Sequence, residues 1–416
     1  MAKVIIIGGG IIGLSSAWFL QKSGHQVTVI DKSDMVDGCS YGNAGYVCPS
    51  HFVPMASPGI VKQGLKWMLN AKSPFYIQPR PSLSLIDWGL KFMKHATANH
   101  VNNSAVPLRD IALLSQGMYE NWARQPQFDF SYQHKGLLEI FQTEANTTHA
   151  AGAVDKAREL GLDVSLFDMA ELQNLEPGTR INAKGAILFK CDAHLNPNRL
   201  MHDLKAGLQQ KGVNFILNEE IDRFEMKAGK IHHVGNARHQ FEADYVVVAT
   251  GSWSRNLVAR LNLRLPLMPG RGYSVTLDDT EHRLNYPAIL VEGRVAITPL
   301  SPTRMRYGGT MEITTTNARP DMNRVKGLLK TVKDFFPDFD IPLPPIEKVW
   351  WGYRPCSADG LPYIGKLRSP ANCIIATGHS MLGLSLGAGT GKVVDELVNE
   401  QNTSVDISAF DPERFN

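Results

Sequence analysis

One stretch constrains this chain more than any other: its opening, Lys3 to Asp31, KVIIIGGGIIGLSSAWFLQKSGHQVTVID. Val4 to Ile7 is a short β-branched run, too short for a helix, and reads as a buried parallel strand. Gly8, Gly10 and Gly13 follow in the spacing G-x-G-x-x-G, with Ile11 and Ile12 inside the turn. Leu14 to Lys22 reads as a helix closed by Gly24, and Gln26 to Ile30 as a second strand ending at Asp31. Each part suits a dinucleotide. Gly8 permits the tight turn, Gly10 lets a pyrophosphate approach the backbone, and Gly13 lets helix and strand pack closely. The helix N-terminus supplies free N–H groups and the positive end of a dipole. Asp31, with Lys32 beside it, stands where a carboxylate holds ribose hydroxyls. The glycine spacing alone is weak; strand, glycines, helix, strand and acid in that order are specific. The competing reading is a Gly-rich connection with no ligand.

At 416 residues the chain is long enough for two domains. A hydrophobic content of 43% and a charged content of 20% fit a globular protein. A net charge of +3, without a long basic run, gives no ground for a nucleic-acid partner. Cys39, Cys48, Cys191, Cys356 and Cys373 are odd in number and contain no C-x-x-C pair. That suits a reducing cytoplasm and argues against a disulfide framework or a metal site. Lys3 and the apolar run after it look superficially like a signal peptide, but the glycine spacing accounts for them better. No uncharged apolar run is long enough for a membrane-spanning helix.

After Asp31 comes a long loop rich in Gly, Pro, Ser and Asn, in which Ser40, Asn43, Ala44 and Gly45 are small or polar enough to line a cofactor. Each is equally explained as an ordinary turn residue. Residues 60 to 100 hold two amphipathic segments with basic edges. Val61, Leu65, Met68 and Leu69 share one face, and Leu85, Trp88 and Phe92 another. They suit a membrane surface, a dimer contact, or simple packing on the protein. A helix is expected over 105 to 125, a hairpin over Tyr132 to Phe141, and helices at Ala150 to Leu160 and Met169 to Leu175. From Gly185 the order returns to α/β: a strand at Ala186 to Phe189, a turn at Asp192 to Pro197, a helix at Leu200 to Gln209 and a strand at Val213 to Leu217. The buried strand Tyr245 to Val248 ends in Ala249-Thr250-Gly251, small residues that suit a backbone passing beneath a cofactor. Residues 265 to 350 alternate apolar and polar at short spacing, as in an antiparallel sheet with one exposed face. Last, Gly378, Gly383, Gly387, Gly389 and Gly391 crowd the start of a closing helix, a second seat for an anionic or electron-rich group. Close packing explains the same glycines.

These residues together resemble the D-amino acid oxidase-like family of FAD-dependent oxidoreductases, and within it most closely the bacterial D-amino acid dehydrogenase branch. The resemblance rests on the Gly8/Gly10/Gly13 fingerprint, SYGNAG, the ATG of 249–251, RGYSVTL, VAITP with GGTMEI, WGYRPCSADGLPYIG, and GHSMLGLSLGAGTG. It covers nearly the whole chain. It implies an α/β fold: a discontinuous Rossmann-like FAD-binding domain (1–84, 185–262 and 350–416) and an α+β substrate domain on an antiparallel sheet (85–184 and 263–349). It further implies that Ile221 meets the adenine through its backbone, and that Leu384 near the closing helix turns N–H groups toward the flavin.

The same resemblance implies oxidative deamination of a small D-amino acid to the imine and 2-oxo acid. Hydride passes from Cα to flavin N5, and the electrons go to a quinone or another non-oxygen acceptor. Arg354 is the expected substrate residue, because guanidinium pairs with an α-carboxylate through two parallel hydrogen bonds. The alternative for Arg354 is a structural ion pair with Asp359. Tyr273, Tyr307 and Tyr353 are candidate hydroxyl donors, each equally readable as a packed aromatic. His51 and Met55 border the expected pocket, and His379 reads as a positioned hydrogen-bond donor near the ring. The expected FAD is non-covalent, because Cys356 does not match the cysteine spacing of flavin-linking relatives. Rival readings are an oxygen-using amine oxidase, an NAD-dependent dehydrogenase and a non-enzymatic flavin subunit. The expected location is the cytoplasm, with peripheral attachment to the inner membrane face and oligomer formation left open.

Overall fold

The computed structural model describes residues 1–68, 70 and 72–416; Leu69, grouped above with Val61, lies outside them. The opening strand, Lys3–Ile7, sits in a six-stranded sheet. Its parallel neighbours are Gln26–Ile30 and Tyr245–Val248, in register at Ile7 with Ile30 and Val248. Asn214–Ile216 and Cys373–Thr377 extend the sheet in parallel, and Tyr363–Lys366 closes one edge antiparallel. The helix Ile11–Lys22 begins directly after the glycine turn. It packs on the closing helix Gly387–Val398 at very short range: a Cβ on Gly391 would lie 2.5 Å from the Ser15 carbonyl carbon. The glycines of the closing helix therefore divide. Gly387, Gly389 and Gly391 let helices approach, whereas a Cβ on Gly383 would meet only His379 Cβ, at an ordinary 3.7 Å.

The second sheet has nine strands. Its long members are Leu267–Leu277, Val295–Ser301, Arg304–Ile313 and Val349–Ser357. Two strands assigned above to the nucleotide-binding segments, Gly185–Phe189 and Val349–Ser357, hydrogen-bond into this sheet instead. The expected hairpin over 132–141 does not form. Leu137–Phe141 pairs with Gly185–Phe189 and Ala288–Leu290, and residues 132–135 form no strand. Two fully buried strands from distant chain segments outweigh a local turn next to a polar run. Asp192–Pro197 is likewise more than a turn, since Ala193–His194 pairs with Tyr46–Val47.

Nor is the large sheet half exposed. One face carries Tyr273, Val275, Ile297 and Tyr307 and is covered by the helix Met322–Phe335 through Val325, Leu328 and Val332. The other face alternates small and polar residues, including Gly272, Ser274, Ala296 and Gly308. It meets the loop after Asp31 rather than water. Arg306 donates from Nη1 to the carbonyls of Tyr41 (2.8 Å) and Asn43 (2.6 Å), and Thr298 Oγ1 donates to Ala44 (2.7 Å). Trp350 Nε1 donates to the Asp37 carbonyl. These bonds tie the loop across the gap between the sheets.

The segments at 60–100 form two helices, Ile60–Met68 and Leu83–His95. Trp88 anchors the second through a hydrogen bond from Nε1 to the Cys356 carbonyl at 3.0 Å and a stack on Phe92. Leu83, Ile86, Leu90 and Met93, spaced three and four apart, form a stripe on the opposite, exposed face. No helix among the described residues is long and apolar enough to cross a membrane.

Candidate active site

The two sheets and the loop between them enclose a cavity of about 1640 Å³. That exceeds the range of a single small-ligand pocket, roughly 300–1,000 Å³. At one end lies the glycine turn. Gly8 has φ +107°, and a Cβ there would sit 2.5 Å from the Ala249 carbonyl oxygen, so only glycine fits. A Cβ on Gly13 would lie 1.9 Å from the Gly8 carbonyl oxygen, the close packing of helix on strand that the spacing requires. Gly10, by contrast, opens on the cavity, its nearest neighbour being Ser40 Oγ at 3.6 Å. Ser40 Oγ accepts from the Ile11 amide at 3.0 Å, and Ile12 lines the cavity beside it.

Asp31 borders this end, but much of its carboxylate is already committed. Oδ2 accepts from the Gly9 amide (2.7 Å), and Oδ1 from the amide and hydroxyl of Ser33. Lys32 lies 3.8 Å over the Trp253 ring. Asn43, Ala44, Ile221, Ala249, Thr250, Gly251, His379, Gly383 and Leu384 all line the cavity. Gly13, Gly45 and Gly378 do not; they support the walls. Gly45 has φ +87° against the Leu195 carbonyl, and Gly378 has φ +78° under the Tyr363 ring. These features fit FAD: a glycine cradle left open at Gly10, amides at a helix start, and a small-residue strand end beneath. Gly383 and Leu384 precede the closing helix, and among the described residues their amides donate to no backbone carbonyl. His379 is buried and neutral. Burial pushes it down to about 3, and Nε2 pairs with Thr390 Oγ1 at 3.0 Å. It is a positioned group and not a base.

Arg354 stands at the other end. Its guanidinium lies flat over Gly272, where a Cβ would come within 2.0 Å of Nη1. Nη1 donates to the Thr310 carbonyl at 2.6 Å. That carbonyl is available because the ladder bulges there: Arg271 faces Glu312 and Tyr273 faces Gly309, so Gly272 stands against two residues. Thr310 has φ +63°, a strained value for a β-branched residue. The ion-pair alternative is overturned, since Asp359 is taken by Arg414 at 2.7 and 3.0 Å. Burial lowers the Arg354 pKa, and the groups nearest its charge are the neutral thiols of Cys39 and Cys356. Among the described residues no carboxylate pairs with it.

Tyr273 borders the cavity, but neither its hydroxyl nor that of Tyr307 is offered to Arg354. Strand alternation turns both rings to the far face of the sheet, away from Arg354. The Tyr273 hydroxyl donates to Glu312 Oε2 (3.2 Å) and accepts from the Asp321 amide (2.7 Å). The Tyr307 ring is fully buried in the core beneath the helix Met322–Phe335. Tyr353 lines the cavity, edge-on to Trp253. Cys356 is turned from the cavity and buried, with Sγ 3.6 Å from Met311 Sδ.

Three residues were missed from sequence: Glu139 and Arg294, which line the cavity, and Gly272, which lies under the Arg354 guanidinium. The signal for Gly272 was its place opposite Gly352 in an adjacent strand. Nothing local marked the other two. Sequence spacing also hid a cluster of Cys48, His51 and Asp192, whose ligand atoms lie within 4.8 Å of one another. Asp192 there accepts from the amide and hydroxyl of Ser50, which makes the cluster a hydrogen-bonded knot under the loop.

The model of the FAD dependent oxidoreductase family matches residues 3–397. A D-amino acid dehydrogenase of Helicobacter pylori is 31% identical over 414 residues, 98% of each chain. A second, from Neisseria meningitidis, is 32% identical over 97% of each. Among solved structures, glycine oxidase from Geobacillus kaustophilus superposes over 100% of both chains with TM-score 0.78 at 24% identity, a likeness of fold.

The bulge makes a prediction about Gly272. Gly272→Ala displaces the end of a flexible side chain and adds no backbone strain, so it disturbs Arg354 far more than stability. We expect kcat/KM to fall about tenfold with Tm moving less than about 3 °C. Unchanged kinetics in a stable variant would contradict the placement of the guanidinium.

Proposed function

This chain belongs to the FAD-dependent oxidoreductase family, and on that premise we propose that it oxidises D-amino acids, seating the α-carboxylate on Arg354. The observation that carries the reading is the unpaired guanidinium in the same cavity as the nucleotide turn. Bound FAD supplies a two-electron sink for the hydride from the substrate Cα. The chain supplies orientation. Arg354 fixes the carboxylate, and the loop held by Arg306, Thr298 and Trp350 shields the site from water. His379, neutral and bonded to Thr390, holds the wall and takes no proton. No side-chain base is required for a substrate that binds with a neutral amine, and the imine product hydrolyses to a 2-oxo acid and ammonia. The names of the relatives above support the D-amino acid class.

Cys356 packs on Met311 and Ser380 outside the cavity, which supports non-covalent FAD. Arg354→Ala and Arg354→Lys test the clamp. Truncating one side of a buried charged pair costs about 3 kcal/mol, so kcat/KM should drop roughly a hundredfold in Ala. Lys should recover little, since it lacks the planar fork. Flavin content, read after acid release, should be equal in all three proteins; flavin retained in the pellet contradicts non-covalent binding. Near-normal turnover in both variants removes the clamp.

The electron acceptor we propose is a membrane quinone. Ile60, Val61, Trp67 and Met68 on one helix and Trp88, Phe92 and Met93 on the next line the cavity. The exposed stripe Leu83, Ile86, Leu90 and Met93 runs along the same helix, 87%, 57%, 59% and 50% exposed. Lys94 lies in the last turn of the same helix, and Lys62 and Lys66 lie on the helix Ile60–Met68. An apolar stripe with a basic border suits peripheral docking on anionic lipid. The alternative is oxygen, the acceptor class of an oxidase such as the glycine oxidase that shares this fold. Reduced enzyme mixed with quinone in anionic vesicles, or with oxygen alone, separates the two. We expect faster reoxidation by the vesicles, slowed in Leu83→Asp/Leu90→Asp. Reoxidation by oxygen at the turnover rate, with no vesicle effect, would assign the oxidase reading.

A further inference from the structure

We propose that Arg294 and Glu139, with His51 beside them, form a side-chain subsite facing Arg354 that selects D-amino acids bearing a hydroxyl or carboxamide group. The inference rests on the D-amino acid reading above and names its substrate class.

The placement follows from the register. Glu139 pairs with Ile289, Ile289 with Ala296, Ala296 with Gly308, and Gly308 with Ser274. Side chains directly paired across neighbouring strands share a face, so Glu139 stands on the face that carries Gly272 and Arg354. Between the ends of that row lie Ile289, which borders the cavity beside Glu139, and then Ala296 and Gly308, too short to fill the space above them. Arg294 enters from the turn before Val295–Ser301. Its backbone carbonyl lies 3.0 Å from where a Cβ on Gly309 would be, and Gly309 adjoins Thr310, whose carbonyl holds Arg354. Two strands, Leu267–Leu277 and Arg304–Ile313, separate the strand of Arg354 from that of Arg294, so their backbones lie three strand spacings, roughly 14 Å, apart, and the Arg354 guanidinium narrows that gap by lying over Gly272.

The chemistry follows from what these groups lack. Arg294 lines the cavity and is itself exposed to solvent, with Glu139, His51 and the Trp67 ring nearby. Among the described residues neither its guanidinium nor the Glu139 carboxylate makes a side-chain hydrogen bond or an ion pair within 4 Å. Burial and the nearby Asp192 raise Glu139 to about 7, with Arg294 pulling against them. Burial and the charge of Arg294 lower His51 to about 4, leaving it neutral at pH 7. A donor fork and an acceptor carboxylate, both unfilled, match a group that accepts and donates at once. A hydroxyl or carboxamide does so. An apolar side chain leaves both groups unpaired, and a carboxylate meets Glu139.

Matched substrates test this. kcat/KM is measured for D-serine against D-alanine, D-asparagine against D-alanine, and hydroxy-D-proline against D-proline, in wild type, Arg294→Met and Glu139→Gln. We expect wild type to favour the polar member of at least one pair by about tenfold or more. That ratio should collapse toward one in Arg294→Met and fall in Glu139→Gln. Glu139→Gln keeps the side-chain shape, so a folding defect in Arg294→Met does not remove the test. Wild-type ratios near one in all pairs overturn the proposal. So does a ratio that survives both substitutions, or an Arg294→Met variant in which all substrates fall by one factor, which would make Arg294 a second carboxylate clamp. Wild-type enzyme that turns over no D-amino acid overturns the functional reading itself, a separate and recognisable outcome.

Discussion

Arg354 carries a positive charge into a cavity where the Thr310 carbonyl meets it and, among the described residues, no carboxylate does. Removing a guanidinium from water without an opposite charge is unfavourable by several kcal/mol. The surrounding chain is arranged to keep that charge available. Asp359, its near neighbour in sequence, is drawn off by Arg414. Gly272 leaves the space in which the fork lies flat, and the bulge turns the Thr310 carbonyl out of the ladder to meet it. The proposed anionic substrate would complete an electrostatic arrangement that the fold leaves open.

That arrangement works only if the two sheets are held at a fixed separation. The glycine turn fixes one side, because Gly8 and Gly13 are packed against backbone and tolerate no larger residue. The loop after Asp31 fixes the other, through Arg306, Thr298 and Trp350. Arg306 is itself nearly buried, and its hydrogen bonds to Tyr41, Asn43 and Asn198 offset the loss of water. Cofactor and substrate ends of the cavity are therefore coupled through one loop. A change in the loop alters both.

Much of this was legible in the sequence because its causes are local. The Lys3–Asp31 unit follows from strand length, glycine spacing and a terminal acid, and the strand Tyr245–Val248 appears where it was read. Arg354 was marked by its chemistry and its motif. What was not legible depends on pairing between distant segments. Tyr273 and Tyr307 sit in the right strands, but which face they take is a matter of register, and a single bulge decides it. The hairpin at 132–141 failed because Leu137–Phe141 finds better partners 45 to 150 residues away. Glu139 and Arg294 carry no local pattern, and only the fold brings them to one cavity. The exposed stripe Leu83, Ile86, Leu90 and Met93 was hidden behind the buried one on the same helix.

The central claim is that a D-amino acid gives up a hydride inside this cavity. Anaerobic mixing of the purified yellow protein with D- and L-enantiomers of one amino acid, followed through the visible absorbance of the flavin, tests it most directly. The account predicts prompt bleaching with the D-enantiomer and none with the L-enantiomer. A protein that purifies without flavin, or whose flavin stays oxidised with every D-amino acid tried, contradicts it.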